Sequence, residues 1–261
     1  MNGTRHTLAA LLVLIFLWAS RAGAQELPFL VGERASYDVE FGRIKVGTVS
    51  SEVVELAKMD GREVYHILTR SKSTPFVSRI YKVNNMIHTY VDARTLLPVK
   101  IERYIEEGLT KTHLVIDIDQ AKKKVYFRED SKGDKVLDTK SVVYDTLAAM
   151  YKLRQIQIQP NGNLFMYILG SYEVGRLRAR MEPKRSEEVK FMGRKKVLDV
   201  YPIKQVGGWE VEVLLSADQA KIPVKVTALK VNLLGVGILT LTGWLKEYDK
   251  GNGTLTHSPG R

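Results

Sequence analysis

Short runs in which apolar and polar residues alternate dominate the chain. Alternation runs through residues 34–41, 45–54 and 63–68, and returns in 80–91, 99–105, 112–118 and 124–127. A period of two puts every second side chain on one face, so each run predicts a half-buried β-strand. Between them lie residues suited to tight reversals: Asp60-Gly61, Glu106-Glu107-Gly108 and the stretch 130–134. Such short, regularly spaced strands predict an antiparallel meander. One segment departs from this period. In 141–156, SVVYDTLAAMYKLRQI, the residues Val143, Leu147, Met150, Tyr151 and Arg154 recur at three- and four-residue steps. They predict one helix over 141–156, capped by Ser141 or Asp145 and ended by Pro160-Asn161-Gly162.

The two sides of this helix echo each other. Asp92, then Pro98-Val-Lys-Ile, resembles Asp218, then Pro223-Val-Lys-Val, and Gly61-Arg62 resembles Gly193-Arg194. Each half thus contains a strand, an aspartate turn and a return strand opened by proline, where no ladder donor is required. Repeated use of one hairpin and duplication of a half both explain the echo. The run 231–245 carries no charge, which predicts a buried strand or the wall of an apolar cavity. There Gly235, Gly237 and Gly243 would clear room beside Ile238 and Trp244. The tail 249–261 is polar and glycine-rich and is expected to be disordered.

The first 24 residues are different in kind. Arg5, an apolar run over 8–19 and Ala22-Gly23-Ala24 form the charge, core and small-x-small site of a cleaved secretory signal. The apolar run is too short to span a bilayer. Residues 25–248 are then expected to form a single β-rich domain, divisible into similar halves at about 28–140 and 164–248. Cysteine is absent throughout, so the core must stabilise the fold unaided. A periplasmic protein with no transmembrane span in its mature part is the expectation. The whole chain carries +11; without Arg5 and Arg21 it carries +9. In that compartment lipid headgroups, glycolipid phosphates and cell-wall carboxylates are the anions on offer, and nucleic acid is not expected.

Candidate chemistry is sparse. His66, His88 and His113 fall in strands, outside any H-E-x-x-H pattern, and neither a G-x-S-x-G elbow nor a cysteine nucleophile is present. Asp117 with Asp119, and Asp130 with Asp134, read as hairpin acids or as weak cation ligands. No enzyme, cofactor or metal is expected. Tyr151 and Arg154 are one helical turn apart. Arg154 set against Glu33, near Tyr37 and Asp145, would either lock helix to sheet or clamp an anion. The stretch 176–196 has nine basic and three acidic residues. As a strand it would project Arg176, Arg178 and Arg180 from one face at steps of about 6.8 Å. Such a row binds phosphates or carboxylates, or is simply solvated and paired with acids.

The runs LPFLVGERASYDVEFGRIKVGTVSSEV, VSRIYKVNNMIHTYVDARTLLPVKIERYIEEG and YDTLAAMYKLR carry a resemblance. Gly32, Glu33, Tyr37, Gly47, Tyr81, Val83, Asp92, Pro98, Glu107, Gly108, Asp145, Tyr151 and Arg154 are its matching positions. The chain resembles domain-of-unknown-function family 3108 across nearly the whole mature part. That likeness implies an exported, β-rich protein without an agreed activity. Asp92 to Lys100 and Asp218 to Lys225 also resemble, more loosely, the lipoprotein-carrier (LolA/LolB-like) proteins, whose curved sheets hold lipid.

Together these readings predict a strongly curved antiparallel sheet or open half-barrel crossed by one helix. The expected function is binding or carriage of an amphipathic envelope lipid or glycolipid. Ile238 and Trp244 would then line the apolar part, and Arg154, Tyr151, Arg176, Arg178 and Arg180 would meet the head. Glu33, Tyr37, Asp92, Pro98, Asp145, Asp218 and Pro223 are assigned to the framework. An envelope assembly factor acting through protein partners, or a cell-wall hydrolase, are the alternatives.

Overall fold

Alternation in sequence becomes a two-faced sheet. In β6 (Thr110–Asp119), Leu114, Ile116 and Ile118 are buried on one side, while His113, Val115 and Asp117 face the other. The computed structural model describes residues 27–130, 132–207, 211–232 and 238–252, so the expected signal segment lies outside the described residues. The N-terminal strands are β1 (Arg34–Phe41), β2 (Ile44–Met59), β3 (Arg62–Ser73), β4 (Asn84–Asp92) and β5 (Pro98–Glu107), followed after β6 by β7 (Lys124–Glu129) and β8 (Gly133–Asp138). The C-terminal strands are β9 (Asn163–Leu169), β10 (Val174–Met181), β11 (Arg185–Phe191) and β12 (Arg194–Gln205). They continue with β13 (Val211–Ser216), β14 (Pro223–Asn232) and β15 (Ile238–Asp249). Helices are α1 (Pro75–Ser78) and α2 (Thr146–Gln155).

All strands join one antiparallel sheet in the order β8-β7-β6-β5-β4-β3-β2-β1-β15-β14-β13-β12-β10-β9, with β11 beside β10 on the same edge of β12. The sheet curls without closing into a barrel, so β8 and β9 are its two free ends. The ends approach across the concave side. Leu169 packs with Ile101, Ile116 and Phe127, and Tyr172 sets its ring 5.3 Å from that of Phe127. The β11–β12 hairpin folds over the convex face of the C-terminal strands, where it buries Val189, Val200, Leu214 and Val224.

Four expectations shift at their boundaries. The helix begins at Thr146, with Asp145 as its cap accepting from the Ala148 N–H at 2.9 Å. The residues before it are extended instead. Tyr144 donates to the Tyr167 carbonyl at 2.8 Å and accepts from the Leu169 N–H at 2.7 Å, because the open edge of β9 offers unpaired backbone groups. The strand expected over 80–91 starts at Asn84, since Thr74 and Pro75 open α1 first. The apolar run 231–245 is not one strand but parts of two, β14 and β15, paired through Val231 with Leu239 and Asn232 with Ile238. Asp249 ends β15, so the expected tail begins inside the sheet.

The echo between halves is structural. Asp92 Oδ1 accepts from the Arg94 and Thr95 amides, and Asp218 Oδ1 from the Ala220 and Lys221 amides. In both turns the residue two before the proline, Leu96 or Lys221, has positive φ, and a bulge precedes the proline's pairing. The hairpins at Asp60-Gly61 and Met192-Gly193 both place two successive residues at positive φ, the requirement of a tight right-twisted reversal.

Helix α2 lies in the hollow of the curled sheet. Ala148 and Tyr151 pack on Val53, Ile67 and Val91 of the N-terminal strands, whereas Ala149 and Leu153 pack on Met166, Ile203 and Leu215 of the C-terminal strands. Its C-terminal half is held by both aspartate turns. Lys152 donates to the Thr95 carbonyl at 3.5 Å, and Arg154 Nε to the Ala220 carbonyl at 3.0 Å. Lys221 reaches the Ile156 carbonyl at 2.7 Å. Arg154 also forks onto the buried Glu33 carboxylate, at 2.5 Å and 3.2 Å. Its guanidinium lies 4.6 Å from the centre of the Phe29 ring, which removes water from the pair.

Removing one partner of such a pair leaves the other charge buried alone. Glu33→Leu and Arg154→Met should each lose about 3–5 kcal/mol of stability, while the double variant carrying both should recover most of it. Urea unfolding of the four chains forms the cycle that checks this; additive losses would show the pair is not coupled.

Candidate functional site

Period two on the strands and 3.6 on α2 aim apolar side chains into one hollow, and the helix does not fill it. Three adjoining cavities remain, and Met150 lines all of them. The first, about 370 Å³, lies between α2 and β9, β10, β12 and β13, walled by Leu153, Leu164, Met166, Leu177 and Val213. The second, about 290 Å³, lies between α2 and β1, β2, β14 and β15, walled by Val39, Val49, Leu147, Val226 and Leu241. The third, about 710 Å³, lies toward the start of α2 and is more polar, with Asn85, Arg103, Thr112 and Lys132 among its walls. Glu107, Glu129 and Asp145 line it as well, so its charges are mixed. The sizes fall within the range of small-molecule sites.

Two polar groups stand out within this hollow. Burial lowers the Arg103 guanidinium from its ordinary value, against the pull of Asp145, and its hydrogen bond to the Gly170 carbonyl is long at 3.5 Å. Thr69 lines both the second and the third cavity, and its buried hydroxyl has no hydrogen-bond partner among the described residues. Burial also raises the Asp145 carboxyl, against its helix-cap bond and Arg103.

The structure separates the residues singled out from sequence. Glu33, Tyr37, Tyr151 and Arg154 meet at the closed end of the hollow, where Arg154 is engaged by Glu33. Burial pushes both tyrosines well above their ordinary range. Arg176, Arg178 and Arg180 do share a face, but it is the outer one. Arg176 stacks at 4.7 Å on exposed Phe165, Arg178 donates to Asn163 and Arg180 to Asn161. Leu177 and Ala179, at alternate positions, line the first cavity; Arg176 borders it as well, whereas Arg178 and Arg180 line none of the three. Trp244 is likewise on the outer side, under Lys225 at 5.1 Å, while its neighbour Gly243 lines the second cavity. The side chain of Ile238 lies outside the described residues. Asp92, Pro98, Asp218 and Pro223 build the two turns above. Arg103, Thr69 and Leu147 were not anticipated as lining; the only signal was that Arg103 sits at an inward parity between Ile101 and Ile105.

The strand histidines form a line across the outer face. His66 Nε2 and His88 Nδ1 are 2.8 Å apart, Glu55 meets His66 at 3.3 Å, and Tyr90 stacks on His66. Further along, His113 bridges Glu102 at 3.0 Å and Asp130 at 3.2 Å. None of these side chains lines the three cavities of the hollow. The acids weighed as cation ligands are paired instead: Asp117 with Arg128, and Asp119 with Lys122 at 3.2 Å.

Burial, and then His66, holds His88 below its ordinary value of 6.5, against the attraction of Glu102. A histidine depressed only when folded binds more protons unfolded, so its contribution is whole above about pH 6.5 and declines as pH falls below that. The melting temperature should therefore drop from about pH 7.5 to about pH 5.5, and less steeply in His88→Asn. Parallel pH profiles for the two proteins would refute this.

Among solved structures, the chain is similar to a β-barrel-like protein of domain of unknown function DUF1849 from Brucella abortus. The likeness has a TM-score of 0.55 at 12% identity and covers 85% of this chain and 98% of that one. It shows a shared fold. No curated protein sequence matches. Residues 36–233 match the family described as proteins of unknown function, DUF3108, and this span includes the helix, both aspartate turns and most of the hollow. The chain belongs to that family.

Proposed function

We propose that this protein is a non-enzymatic periplasmic binding or carrier protein that takes an amphipathic lipid-like molecule into the hollow around Met150. One observation carries the reading: three adjoining cavities, largely apolar on both sides of α2, stay open in an otherwise well-packed interior. An acyl chain gains free energy by leaving water for such walls. The leader-like first 24 residues support an envelope location.

The polar end of the ligand belongs in the third cavity. Arg103 and Lys132 face Glu107, Glu129 and Asp145 there, so a zwitterionic or hydroxylated head suits it better than a bare anion. The unpaired Thr69 hydroxyl lies where the head joins the chain. This head site differs from the arginine row of β10, of which Arg178 and Arg180 line none of the cavities and Arg176 borders the first.

Native mass spectrometry with lipid extraction, followed by titration with a fluorescent long-chain acyl probe, tests the reading. Met150→Trp should fill the hollow and weaken probe binding by about tenfold or more, with a stability change below about 1–3 kcal/mol because space is available. Arg178→Ala and Arg180→Ala should leave binding unchanged. A protein that carries and takes up no lipid, or a Met150→Trp variant that binds as before, would overturn it.

A further inference from the structure

The end of the sheet opposite the Glu33–Arg154 pair carries a row of large apolar side chains held out in solvent. Three neighbouring connections supply them. The β1–β2 turn has Phe41 and Ile44 at 43% and 64% exposure, the β3–β4 connection has Phe76 and Ile80 at 69% and 74%, and the β5–β6 turn has Leu109 fully exposed. These are not loose tips. The Thr74 N–H donates to the Val46 carbonyl at 2.9 Å, tying α1 to β2, and the Gly108 N–H donates to the Lys82 carbonyl at 2.8 Å, tying the β5–β6 turn to the same connection. A side chain at Gly108, whose φ is +60°, would also strike the Tyr81 ring at 2.9 Å. The hollow reaches this rim, since Glu107, the last residue of β5, lines the third cavity and Val39, two before Phe41, lines the second.

Cations stand among these side chains. Lys82 and Lys111 share Glu106, at 2.9 Å and 3.2 Å, and Lys45 meets Asp38 at 2.6 Å. Arg43 and Arg79 have no ion-pair partner among the described residues, and Lys72 is exposed beside them. The three connections therefore present a positive balance. Protruding apolar tips interleaved with free cations match the layered chemistry of a membrane surface, where apolar groups enter the acyl boundary and cations meet phosphates. A protein partner would be better served by a concave apolar pocket, which these separate convex turns do not form.

We propose that this rim docks on an anionic lipid bilayer, so that the hollow opens onto the membrane. Phe41, Ile44, Phe76, Ile80 and Leu109 enter the headgroup layer, and Arg43 and Arg79 bind lipid phosphates. The docking goes beyond the binding function above and stands without it.

The test is co-sedimentation of the mature chain with vesicles of phosphatidylcholine, alone or mixed with phosphatidylglycerol, at low and high salt. The protein should sediment with the mixed vesicles, and salt should weaken this. The triple change Phe76→Asp, Ile80→Asp and Leu109→Asp should reduce partitioning by about tenfold or more. Arg43→Glu and Arg79→Glu should each reduce it about fivefold and erase the preference for the anionic lipid. Because all these positions are exposed, the melting temperature and uptake of the acyl probe in solution should stay as in the wild type. Met150→Trp should keep vesicle binding, which separates docking from occupation of the hollow. A wild-type protein left in the supernatant, equal binding to neutral vesicles, a triple variant that sediments normally, or loss of sedimentation in Met150→Trp would each overturn the proposal.

Discussion

A curled sheet with a helix inside it must hold the helix at a fixed depth, and here the buried pair of Arg154 and Glu33 does so. Glu33 precedes the first strand and Arg154 lies in the last turn of the helix, 121 residues later. Two charges taken out of water are costly unless every hydrogen-bonding direction is satisfied. Arg154 offsets that cost by donating to Glu33 and the Ala220 carbonyl and by lying over the faces of Phe29 and Tyr151. A shift of the helix along its axis would break several of these contacts together. The pair thus sets the position of α2, and the position of α2 sets how much of the hollow remains open.

The two aspartate turns extend this constraint to the sheet. Each turn grips the C-terminal half of α2 from one side, one through Thr95 and the other through Ala220 and Lys221. Cations next to the last carbonyls also complement the helix dipole. Because the turns belong to different halves of the sheet, their hold on one helix fixes the curvature between those halves. The opposite end is tied differently, through the two backbone bonds of Tyr144 to β9. There the helix begins at Asp145, the cavities widen around Met150, and exposed apolar side chains stand on the rim.

The sheet's two faces divide the remaining chemistry. Inward positions are largely aliphatic, broken by Thr69 and, around the third cavity, by Asn85, Arg103, Glu107, Thr112 and Glu129. Outward positions carry the histidine line, the β10 arginines and most ion pairs. Exposed pairs of this type contribute little individually. The convex face is nonetheless not uniform, since the β11–β12 hairpin covers part of it with a second small core around Val189, Val200 and Leu214.

The sequence by itself determined most of the N-terminal strands, their antiparallel pairing and the helix α2, because periods of two and 3.6 are local properties of the chain. Turn chemistry was equally legible: Asp92, Pro98, Asp218 and Pro223 act through hydrogen bonds within a few residues. Charge complementarity also brought Glu33 and Arg154 together on paper. Only the tertiary structure decided which face of each strand is concave, because period two is symmetric between faces. That choice sent Arg178, Arg180 and Trp244 outward and Thr69 and Arg103 inward. It also decided that Tyr144 pairs with β9 instead of extending the helix, since an edge strand's need for partners is set by neighbours far away in sequence. The open space around Met150 was the least legible feature. A cavity is the difference between the room a curved sheet encloses and the volume its side chains fill, and no local pattern records that difference.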